Sequence, residues 1–337
     1  MDPLISILIP AYNAERYISE TVKSALAQTW AKKEIIIVDD GSRDNTVQIA
    51  RQFSARNVSI VTQPNSGASV ARNKAFSLCQ GDFIQWLDAD DLLAPEKIAD
   101  QVQAWQEDPN KRDLLSTGWG YFVCRREKAQ FTPSSLWRDL SPAEWLHLKF
   151  STNHFMQTSV WLVSRELSMA AGQWNERLTL DDDGEYFCRV VLASERVRFI
   201  PGDNVFYRKG VNSLSVVGYS DKKLESQLLS IRLQAEYLRS ADEKMKAAII
   251  KYMQSYMILF YPNRPDLVKE AEEIARSLGG ELQLPILPWK YAMIQKMFGW
   301  QAAKNLQIQG NRFKAGLLEA WDRALFSMQN RNSNHAA

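Results

Sequence analysis

The sequence contains few residues of the types that build disulfides, metal clusters and glycine-rich phosphate loops. It has 3 cysteines, 3 histidines and 15 glycines in 337 residues. Cys79, Cys124 and Cys188 are far apart, and no CxxC pair or Cys/His cluster with zinc spacing occurs. Isolated thiols are typical of a reducing compartment, so we expect neither a disulfide framework nor a structural zinc site.

An excess of charge of one sign and a long apolar run are also absent. Lys plus Arg number 41 and Asp plus Glu 39, whereas a nucleic-acid-binding protein carries a clear basic excess. The longest apolar candidate, residues 247–261, is interrupted by Lys251, Gln254 and Ser255 and is too short to span a membrane. The first residues lack the basic segment of a signal peptide. We therefore predict a cytoplasmic protein that binds no nucleic acid.

What the sequence does contain is enough apolar and aromatic residues for a large core, arranged in alternating segments. Hydrophobic residues make up 45% of the chain. Apolar runs at 4–9, 34–38, 58–62 and 83–87 are separated by segments with helical periodicity, and 159–163 is a further strand candidate. Continuous apolar strands alternating with helices indicate a parallel sheet covered on both faces, which gathers ligands at the carboxyl ends of its strands.

The pattern of the chain changes near residue 218, and this change predicts its organisation. We expect an α/β domain over 1–218, with a mostly parallel, Rossmann-like sheet flanked by helices. Its first half, 1–110, carries the regular alternation, and its second half, 111–218, is mixed. Residues 219–330 have helical periodicity throughout, and 331–337 are predicted to be a disordered tail.

Acidic residues follow two of the predicted strands. Asp39 and Asp40 end the second strand, and Asp88, Asp90 and Asp91 follow the fourth. Because parallel strands end at one edge of a sheet, these carboxylates should meet there and repel one another unless a cation neutralises them. A hard divalent ion, Mn²⁺ or Mg²⁺, suits such ligands. The simpler alternative is a solvated acidic turn before the next helix.

Four motifs together resemble those of family 2 glycosyltransferases, which have the GT-A fold. They are VDDGSRDNT at 38–46, NSG at 65–67, ARN at 71–73 and GDFIQWLDADD at 81–91. They occur in the family's order and at its spacing. The resemblance implies an inverting transferase that moves a sugar, most simply from a UDP-linked donor, to a polysaccharide, glycolipid or related acceptor.

The resemblance also implies roles for individual residues. The implied nucleotide-sugar-binding residues are Pro10, Ala11, Tyr12, Glu15, Asp39, Asp40, Arg72, Asp88 and Ala89. Tyr12 would pack on the base, Arg72 would lie near the diphosphate, and Asp90 would be the direct ligand of Mn²⁺ or Mg²⁺, with Asp88 beside it. An aromatic ring, an arginine fork and carboxylates suit a base, a diphosphate and a hydroxyl or metal, respectively.

A later acidic stretch resembles the segment that holds the family's catalytic base. Asp181-Asp182-Asp183 precedes a predicted helix that contains Glu185 and Arg189. Matching the helix places the base at Asp183 and the preceding acid at Asp182, although a slip of one residue stays open. The alternative is an acidic helix start that complements the helix dipole.

Other functions have weaker support. A catalytically inactive sugar-nucleotide-binding module stays open as an alternative. A dinucleotide-dependent oxidoreductase and a P-loop kinase are disfavoured, because no GxGxxG follows the first strand and no GxxxxGK[ST] occurs.

Three segments give less specific indications. His154 and Gln157 could line the acceptor side, and Arg208, with the nearby residues 213–215, resembles a segment that helps to hold the diphosphate. Residues 285–300 combine tryptophans and lysines. Packing in the core or in a homodimer is the simpler interpretation of this segment. A peripheral contact with the inner face of a membrane is the alternative.

Overall fold

The computed structural model describes residues 2–54, 57–209 and 220–335 and shows two β-sheets surrounded by helices. The strands are, in chain order, β1 (Ile5–Ala11), β2 (Lys33–Asp39), β3 (Val58–Thr62), β4 (Phe83–Trp86), β5 (Leu92–Leu93), β6 (Asp113–Phe122), β7 (Gln130–Phe131), β8 (Val163–Ser164) and β9 (Arg196–Arg208). The helices are α1 (Ile18–Leu26), α2 (Thr46–Arg51), α3 (Ala68–Leu78), α4 (Lys97–Glu107), α5 (Pro142–Thr152), α6 (Arg165–Ala171), α7 (Asp182–Ala193), α8 (Asp221–Tyr237), α9 (Glu243–Phe260), α10 (Pro265–Ser277) and α11 (Ala292–His335).

The first sheet is the mostly parallel sheet that the apolar runs predict. Its strand order is β3-β2-β1-β4-β8, and β8 is its antiparallel edge strand. Ile7, Ile36 and Ile84 are buried in it, as expected for strands that helices cover on both faces. The predicted fold class, including the helical C-terminal region, is confirmed.

The order of the strands brings three of their carboxyl ends together. The chain runs outward from β1 through β2 to β3 and then returns to pair β4 with the other side of β1. Ala11 in β1 pairs with Asp39 in β2, and Leu8 pairs with Trp86 in β4. The point where the strand order reverses is where open α/β sheets bind ligands, so the acidic residues after β2 and β4 lie at the favoured position.

The second sheet adds the end of β9 to this edge. Its strand order is β5-β9-β6-β7, with β9 parallel to β6 and antiparallel to β5. Leu92 in β5 pairs with Phe206 in β9. Because β5 directly follows the acidic turn Asp88–Asp91, this pairing carries Tyr207 and Arg208 to that turn.

The strand predicted at 159–163 is only partly present. Residues Thr158–Val160 form a 3₁₀ turn, and the strand β8 is confined to Val163–Ser164. The side chain of Gln157 accepts a hydrogen bond from the backbone N–H of Ser159 at 2.5 Å. Such a local bond favours the turn over an extended backbone, which explains the shorter strand.

Helices α8, α9 and α10 continue the core of the α/β part. Phe150 of α5, Leu228 of α8 and Met253 of α9 are all buried in one apolar cluster. The starts of two helices follow local rules: Ser141 and Glu144 form the capping box of α5, and Asp242 accepts a hydrogen bond from the N–H of Met245 at the start of α9.

Helix α11 differs from the others because most of its described side chains face solvent. It kinks at Gly299, whose φ is 82°, and among its described side chains only Ala303 is buried. Trp289, Met297 and Phe298 are 89%, 66% and 68% exposed, so the interpretation that they pack in the protein's own core is wrong. Leu287 is buried and Trp300, of intermediate burial, donates from Nε1 to the carbonyl of Pro285, so both residues help to attach the segment to the protein.

Among the described residues, every helix is too short or too polar to span a membrane.

The last helix is longer than the sequence predicts. Helix α11 extends to His335, whereas the sequence predicts a disordered tail from residue 331. Residues 331–335 contain neither Gly nor Pro to end a helix, and each further residue adds a backbone hydrogen bond.

Candidate functional site

The site is built around one arginine that connects distant parts of the chain. Arg72 on α3 donates from Nη2 to Asp88 Oδ1 at 2.8 Å and from Nη1 to Asp182 Oδ2 at 2.6 Å. Its guanidinium also lies 4.4 Å from the centre of the Trp174 ring. Asp88 follows β4 and Asp182 begins α7, so this bridge joins the two acidic segments that the sequence predicts to be functional.

Asp183 lies beside this bridge, in surroundings that favour its neutral form. Thr158 donates a hydrogen bond to Asp183 Oδ2 at 3.3 Å, and the N–H of Gly184 donates to Oδ1 at 2.9 Å. Burial, followed by the negative charges of Asp182 and Asp181, raises the pKa of Asp183 to about 7. A carboxyl group with such a pKa can take up a proton near neutral pH.

Asp182 is held differently from Asp183. Its Oδ2 accepts hydrogen bonds from Arg72 and, at 3.1 Å, from the Ser69 hydroxyl. The Asp182 carboxylate is thus committed to the ion pair with the buried guanidinium of Arg72, whereas the hydrogen bonds to Asp183 come from a hydroxyl and a backbone N–H. The geometry therefore favours Asp183 over Asp182 as the proton acceptor.

The turn after β4 gathers three carboxylates with unequal surroundings. Burial, followed by the charge of Asp88, raises the pKa of Asp90 to about 6. Burial also raises the pKa of Asp91 well above its usual range. Asp91 accepts hydrogen bonds from Gln157 Nε2 at 2.5 Å and from the N–H of Arg208 at 2.9 Å, so it supports the turn rather than facing a ligand.

The donor set fits a divalent metal that is only partly coordinated by protein. In the described ranges, no group of three or more His, Cys, Asp or Glu side chains could hold a metal ion. Asp88 and Asp90 offer two carboxylates, and the pKa of Asp90 is raised first by burial and then by the negative charge of Asp88. Mg²⁺ and related hard cations are commonly held by one or two carboxylates, with phosphate oxygens and water completing the shell.

Asp39 and Asp40, adjacent in sequence, have different environments. Asp39 Oδ2 accepts a hydrogen bond from the N–H of Ser42 at 3.2 Å, while its buried Oδ1 has no partner in the described part of the chain. Asp40 accepts four hydrogen bonds, which come from Gln63 Nε2, Asn65 Nδ2, Ser66 N and Gly67 N. Its carboxylate anchors the loop between β3 and α3, so Asp39 is the one with an oxygen available to a ligand.

The other predicted donor-binding residues surround the end of β1. Tyr12 is 48% exposed, which leaves its ring open to stack on a base. Glu15 accepts hydrogen bonds from the backbone and side chain of Asn45 at 3.0 and 2.9 Å. Pro10 and Ala11 pair with Val38 and Asp39 of β2.

Ala89 lies in the acidic turn Asp88–Asp91, where its carbonyl accepts a hydrogen bond from the hydroxyl of Thr21 at 2.9 Å. This bond ties the turn to α1. The structure therefore brings the residues of the three predicted donor segments to one edge of the sheet.

Arg208 occupies a structural position. Its guanidinium pairs with Glu20 at 2.6 Å and lies 4.6 Å and 4.3 Å from the ring centres of Tyr17 and Phe122. It also donates to the carbonyl of Asp90 at 2.8 Å. Because these contacts occupy its donors, this arrangement does not support the expected contact between Arg208 and a diphosphate. The associated residues 213–215 lie outside the described residues.

The two residues expected on the acceptor side have different environments. Gln157 is buried and supports Asp91, as described above, whereas His154 is exposed, with Nδ1 3.1 Å from the hydroxyl of Ser135. Of the two, only His154 is positioned to meet a substrate from solvent.

An aromatic group beside the acidic turn was missed by sequence reasoning. The ring of Trp119 lies 4.9 Å from Phe155 and 4.8 Å from Tyr121, and Tyr121 lies 5.4 Å from Tyr207. The pairing of Leu92 with Phe206 brings the neighbouring Tyr207 to the acidic turn, and burial, followed by the negative charge of Asp91, raises the pKa of Tyr207. The alternation Trp119-Gly-Tyr121 on one strand, with Tyr207 paired to Tyr121 across the sheet, is the signal that could have found this group.

Comparison with known proteins matches this chain to glycosyltransferases. The family model described as glycosyl transferase family 2 matches residues 6–169. The uncharacterized glycosyltransferase EpsJ of Bacillus subtilis (strain 168) is 29% identical over 238 residues, which are 67% of this chain and 68% of EpsJ. The chondroitin synthase of Pasteurella multocida (strain Pm70) is 28% identical over 300 residues, which are 81% of this chain but only 30% of that protein.

Solved structures share the fold at low sequence identity. Residues 1–349 of S. aureus TarS in complex with UDP-GlcNAc superpose with a TM-score of 0.67 at 16% identity, over 91% of this chain and 92% of that one. The mannosyltransferase PcManGT of Pyrobaculum calidifontis, in complex with GDP-Man and Mn²⁺, gives a TM-score of 0.51 at 18% identity, over 96% of this chain and 88% of that one. At these identities the likeness concerns the fold.

Proposed function

Because this chain belongs to glycosyltransferase family 2 and has the GT-A fold, it is a glycosyltransferase, and we propose that it transfers sugar with inversion from a UDP-linked donor to an acceptor hydroxyl. The single observation that carries the proposal is the bridge Asp88–Arg72–Asp182. It joins the donor-side acids after β4 to the helix that begins with the candidate base, so donor and acceptor chemistry share one site.

The choice of a uracil nucleotide rests on Asp39. One of its oxygens is engaged by Ser42, and the other, Oδ1, is a buried acceptor with no partner in the described residues. A single open carboxylate oxygen suits the one imide N–H of uracil, whereas guanine presents two neighbouring donors. The exposed ring of Tyr12 can stack on the base. The UDP and UDP-GlcNAc complexes of TarS, which shares this fold, agree with this choice.

In the proposed reaction, Asp183 is the general base of a single displacement. The acceptor oxygen forms a bond to the anomeric carbon as the bond from that carbon to the diphosphate oxygen breaks. The carboxylate of Asp183 takes the acceptor's hydroxyl proton, and the pKa of about 7 suits this transfer. Arg72 has a buried Nε with no partner in the part of the chain described, so its guanidinium keeps a donor for a phosphate oxygen.

A divalent ion, Mn²⁺ or Mg²⁺, would be held by Asp90 with Asp88. When bound, it would neutralise negative charge on the departing nucleoside diphosphate. The neighbouring Asp91 keeps the turn in place, because its side chain accepts hydrogen bonds from the N–H of Arg208 and from Gln157 Nε2.

The acceptor side is proposed to include His154 and the aromatic group of Trp119, Tyr121, Phe155 and Tyr207. Phe155 is 46% exposed, and aromatic rings offer an apolar surface to the C–H face of a sugar. A saccharide or lipid-linked saccharide is therefore the proposed acceptor class.

The proposal is tested by measuring release of nucleoside diphosphate from a panel of UDP-, GDP- and dTDP-sugars, with and without Mn²⁺ or Mg²⁺. We expect release from at least one UDP-sugar, stimulated by the metal. The matched variants are Asp39→Asn, in the site, and Asp203→Asn, at an exposed position of β9. A preference for GDP-sugars that survives in Asp39→Asn would contradict the uracil assignment.

A further inference from the structure

The exposed apolar side chains of this protein are concentrated in its C-terminal segment. Of the sixteen large apolar side chains that are exposed in the described part of the chain, eleven lie between Leu284 and Met328. The segment therefore carries an apolar surface that residues 2–54, 57–209 and 220–335 leave exposed. Surfaces of this kind mark contacts with membranes or other proteins.

Beyond Gly299, the exposed large apolar residues of α11 form one stripe. The apolar stripe consists of Leu306, Phe313, Leu317, Trp321 and Met328, which are 44%, 71%, 56%, 68% and 62% exposed. At about 100° per residue, these five positions fall within about 80° of the helix circumference. They are therefore presented along one side of the helix.

The opposite side of α11 faces the protein. Asp322 accepts hydrogen bonds from the N–H of Cys124 at 2.9 Å and from Arg125 Nε at 2.7 Å, directly after β6. Ile308 and Phe326, which are only partly exposed, lie about 180° from the middle of the apolar stripe. The helix is thus held by its other side, with the apolar stripe directed away from the body of the protein.

The charge of the segment indicates which partner would cover it. Residues 284–328 contain six basic residues and two acidic ones. Both acids are engaged in ion pairs, Asp322 with Arg125 and Glu319 with Arg323. Apolar and tryptophan side chains on one side of a helix, together with an excess of lysine and arginine, are typical of helices that lie in the interface of an anionic bilayer.

A second copy of the chain fits this surface less well. A coiled-coil seam through Leu306 and Phe313 would place Gly310, Ala320 and Ala324 at core positions that large apolar residues normally fill. Two copies would also bring two basic segments together. We propose that α11, with the preceding residues 284–291, binds the surface of a membrane that contains anionic lipids, with the apolar stripe inserted.

The test is flotation of the full-length protein with vesicles of phosphatidylcholine alone or of phosphatidylcholine and phosphatidylglycerol at 3:1. We expect binding to the anionic vesicles, weak binding to neutral ones, and release in high salt. Trp321→Gln should lower the partition coefficient about tenfold. Met169→Gln is its control, because Met169 and Trp321 are 66% and 68% exposed, and it should change nothing.

A second pair of variants tests the charge. Lys290→Glu combined with Lys314→Glu should lower binding to anionic vesicles by at least tenfold. Lys222→Glu combined with Lys244→Glu, exposed on α8 and α9, should not. Equal binding by all variants would overturn the proposal. So would a dimer in sedimentation velocity that Trp321→Gln dissociates, with no vesicle binding. The readout does not depend on sugar transfer.

Discussion

Asp183 shows how surroundings rather than residue type assign a role. Three aspartates follow one another at 181–183, yet each has a different environment. Asp182 is paired with Arg72, and Asp181 accepts hydrogen bonds from α8. Asp183 is left with two weaker donors and the charges of its neighbours, which, after burial, raise its pKa.

This environment predicts the pH dependence of the reaction. A base acts only when it is deprotonated, so kcat/KM should rise with pH through an apparent pKa of about 7 and level off above it. The measurement is the pH profile of kcat/KM with saturating acceptor.

Asp183→Asn serves as the test variant for this assignment. It should reduce transfer by at least 10²-fold, the order contributed by a general base, and should leave the Kd of the donor unchanged. Normal transfer by this variant would remove the assignment to Asp183 and return attention to Asp182.

The role of Arg72 depends on the shape of its guanidinium group and not only on its charge. A guanidinium can bridge Asp88 and Asp182 with two separate nitrogens, whereas a lysine has one compact ammonium group. Arg72→Lys should therefore lower kcat by about 10- to 100-fold, since small misplacements of reacting groups have effects of this size. Arg51→Lys, at an exposed site on α2, is the control and should behave like the wild type in the same kinetic assay.

At the scale of elements, the loop between β3 and α3 depends on the side chain of Asp40. Its two carboxylate oxygens each accept two hydrogen bonds from residues 63–67. Gly41, with φ of 75°, permits the tight approach, because a Cβ there would lie 2.7 Å from the N of Asn65.

Asp40→Asn replaces one of these acceptor oxygens by a donor. The loss should lower the free energy of unfolding by about 1–3 kcal/mol, the range for leaving buried polar groups unpaired. Urea unfolding measures the effect, and amide hydrogen exchange at 63–67 locates it. Asp39→Asn is the contrasting variant and should weaken donor binding with little effect on stability. A reversed pattern would show that Asp40 binds the nucleotide and Asp39 holds the loop.

The strands and the acidic motifs could be predicted where the residues that determine them are close together in the sequence. The runs that form β1, β2 and β4 are mostly apolar because both of their faces are buried, so the sequence alone identifies them. The edge strand β3 is only partly buried, but its apolar residues are still sufficient to identify it. The predicted strand 159–163 is longer than β8, because the side chain of Gln157 accepts a hydrogen bond from the N–H of Ser159 and the backbone turns there. The acids at 39–40 and 88–91 could be expected to share an edge, but the difference between Asp39 and Asp40 depends on a loop 25 residues away.

At the scale of the whole molecule, the helical C-terminal region supports α7, the helix that carries the proposed base Asp183. Asp181, whose φ of 58° is left-handed, accepts hydrogen bonds from Ser230 at 2.7 Å and from Gln234 at 3.3 Å. Gln234 also accepts from Lys149 of α5 at 2.5 Å, and Lys149 donates to the carbonyl of Gly184 at 3.1 Å. These contacts fix the start of α7, where Asp183 lies.

The sequence could not reveal this support. Ser226, Ser230 and Gln234 recur every four residues on α8, a spacing that usually indicates a polar side facing solvent. In the structure all three are buried, and the Ser226 hydroxyl accepts from the N–H groups of Thr179 and Leu180. A polar stripe that faces a buried helix start and one that faces water have the same pattern, and only the packing distinguishes them.

This packing leads to a prediction about a residue that touches no reacting atom. Gln234→Ala removes one hydrogen-bond partner from Lys149 and one from Asp181, so the start of α7 should shift and kcat should fall by about tenfold, with the donor Kd unchanged. Since the charge of Asp181 helps to raise the pKa of Asp183, a movement of α7 should also displace the pH profile of kcat/KM from its wild-type position. Gln234→Glu, which can still accept from Lys149, should recover part of the rate, and Gln106→Ala on the exposed side of α4 is the control. If Gln234→Ala lowered stability but left both kcat and the pH profile unchanged, the helical region would serve the fold alone and not the position of the base.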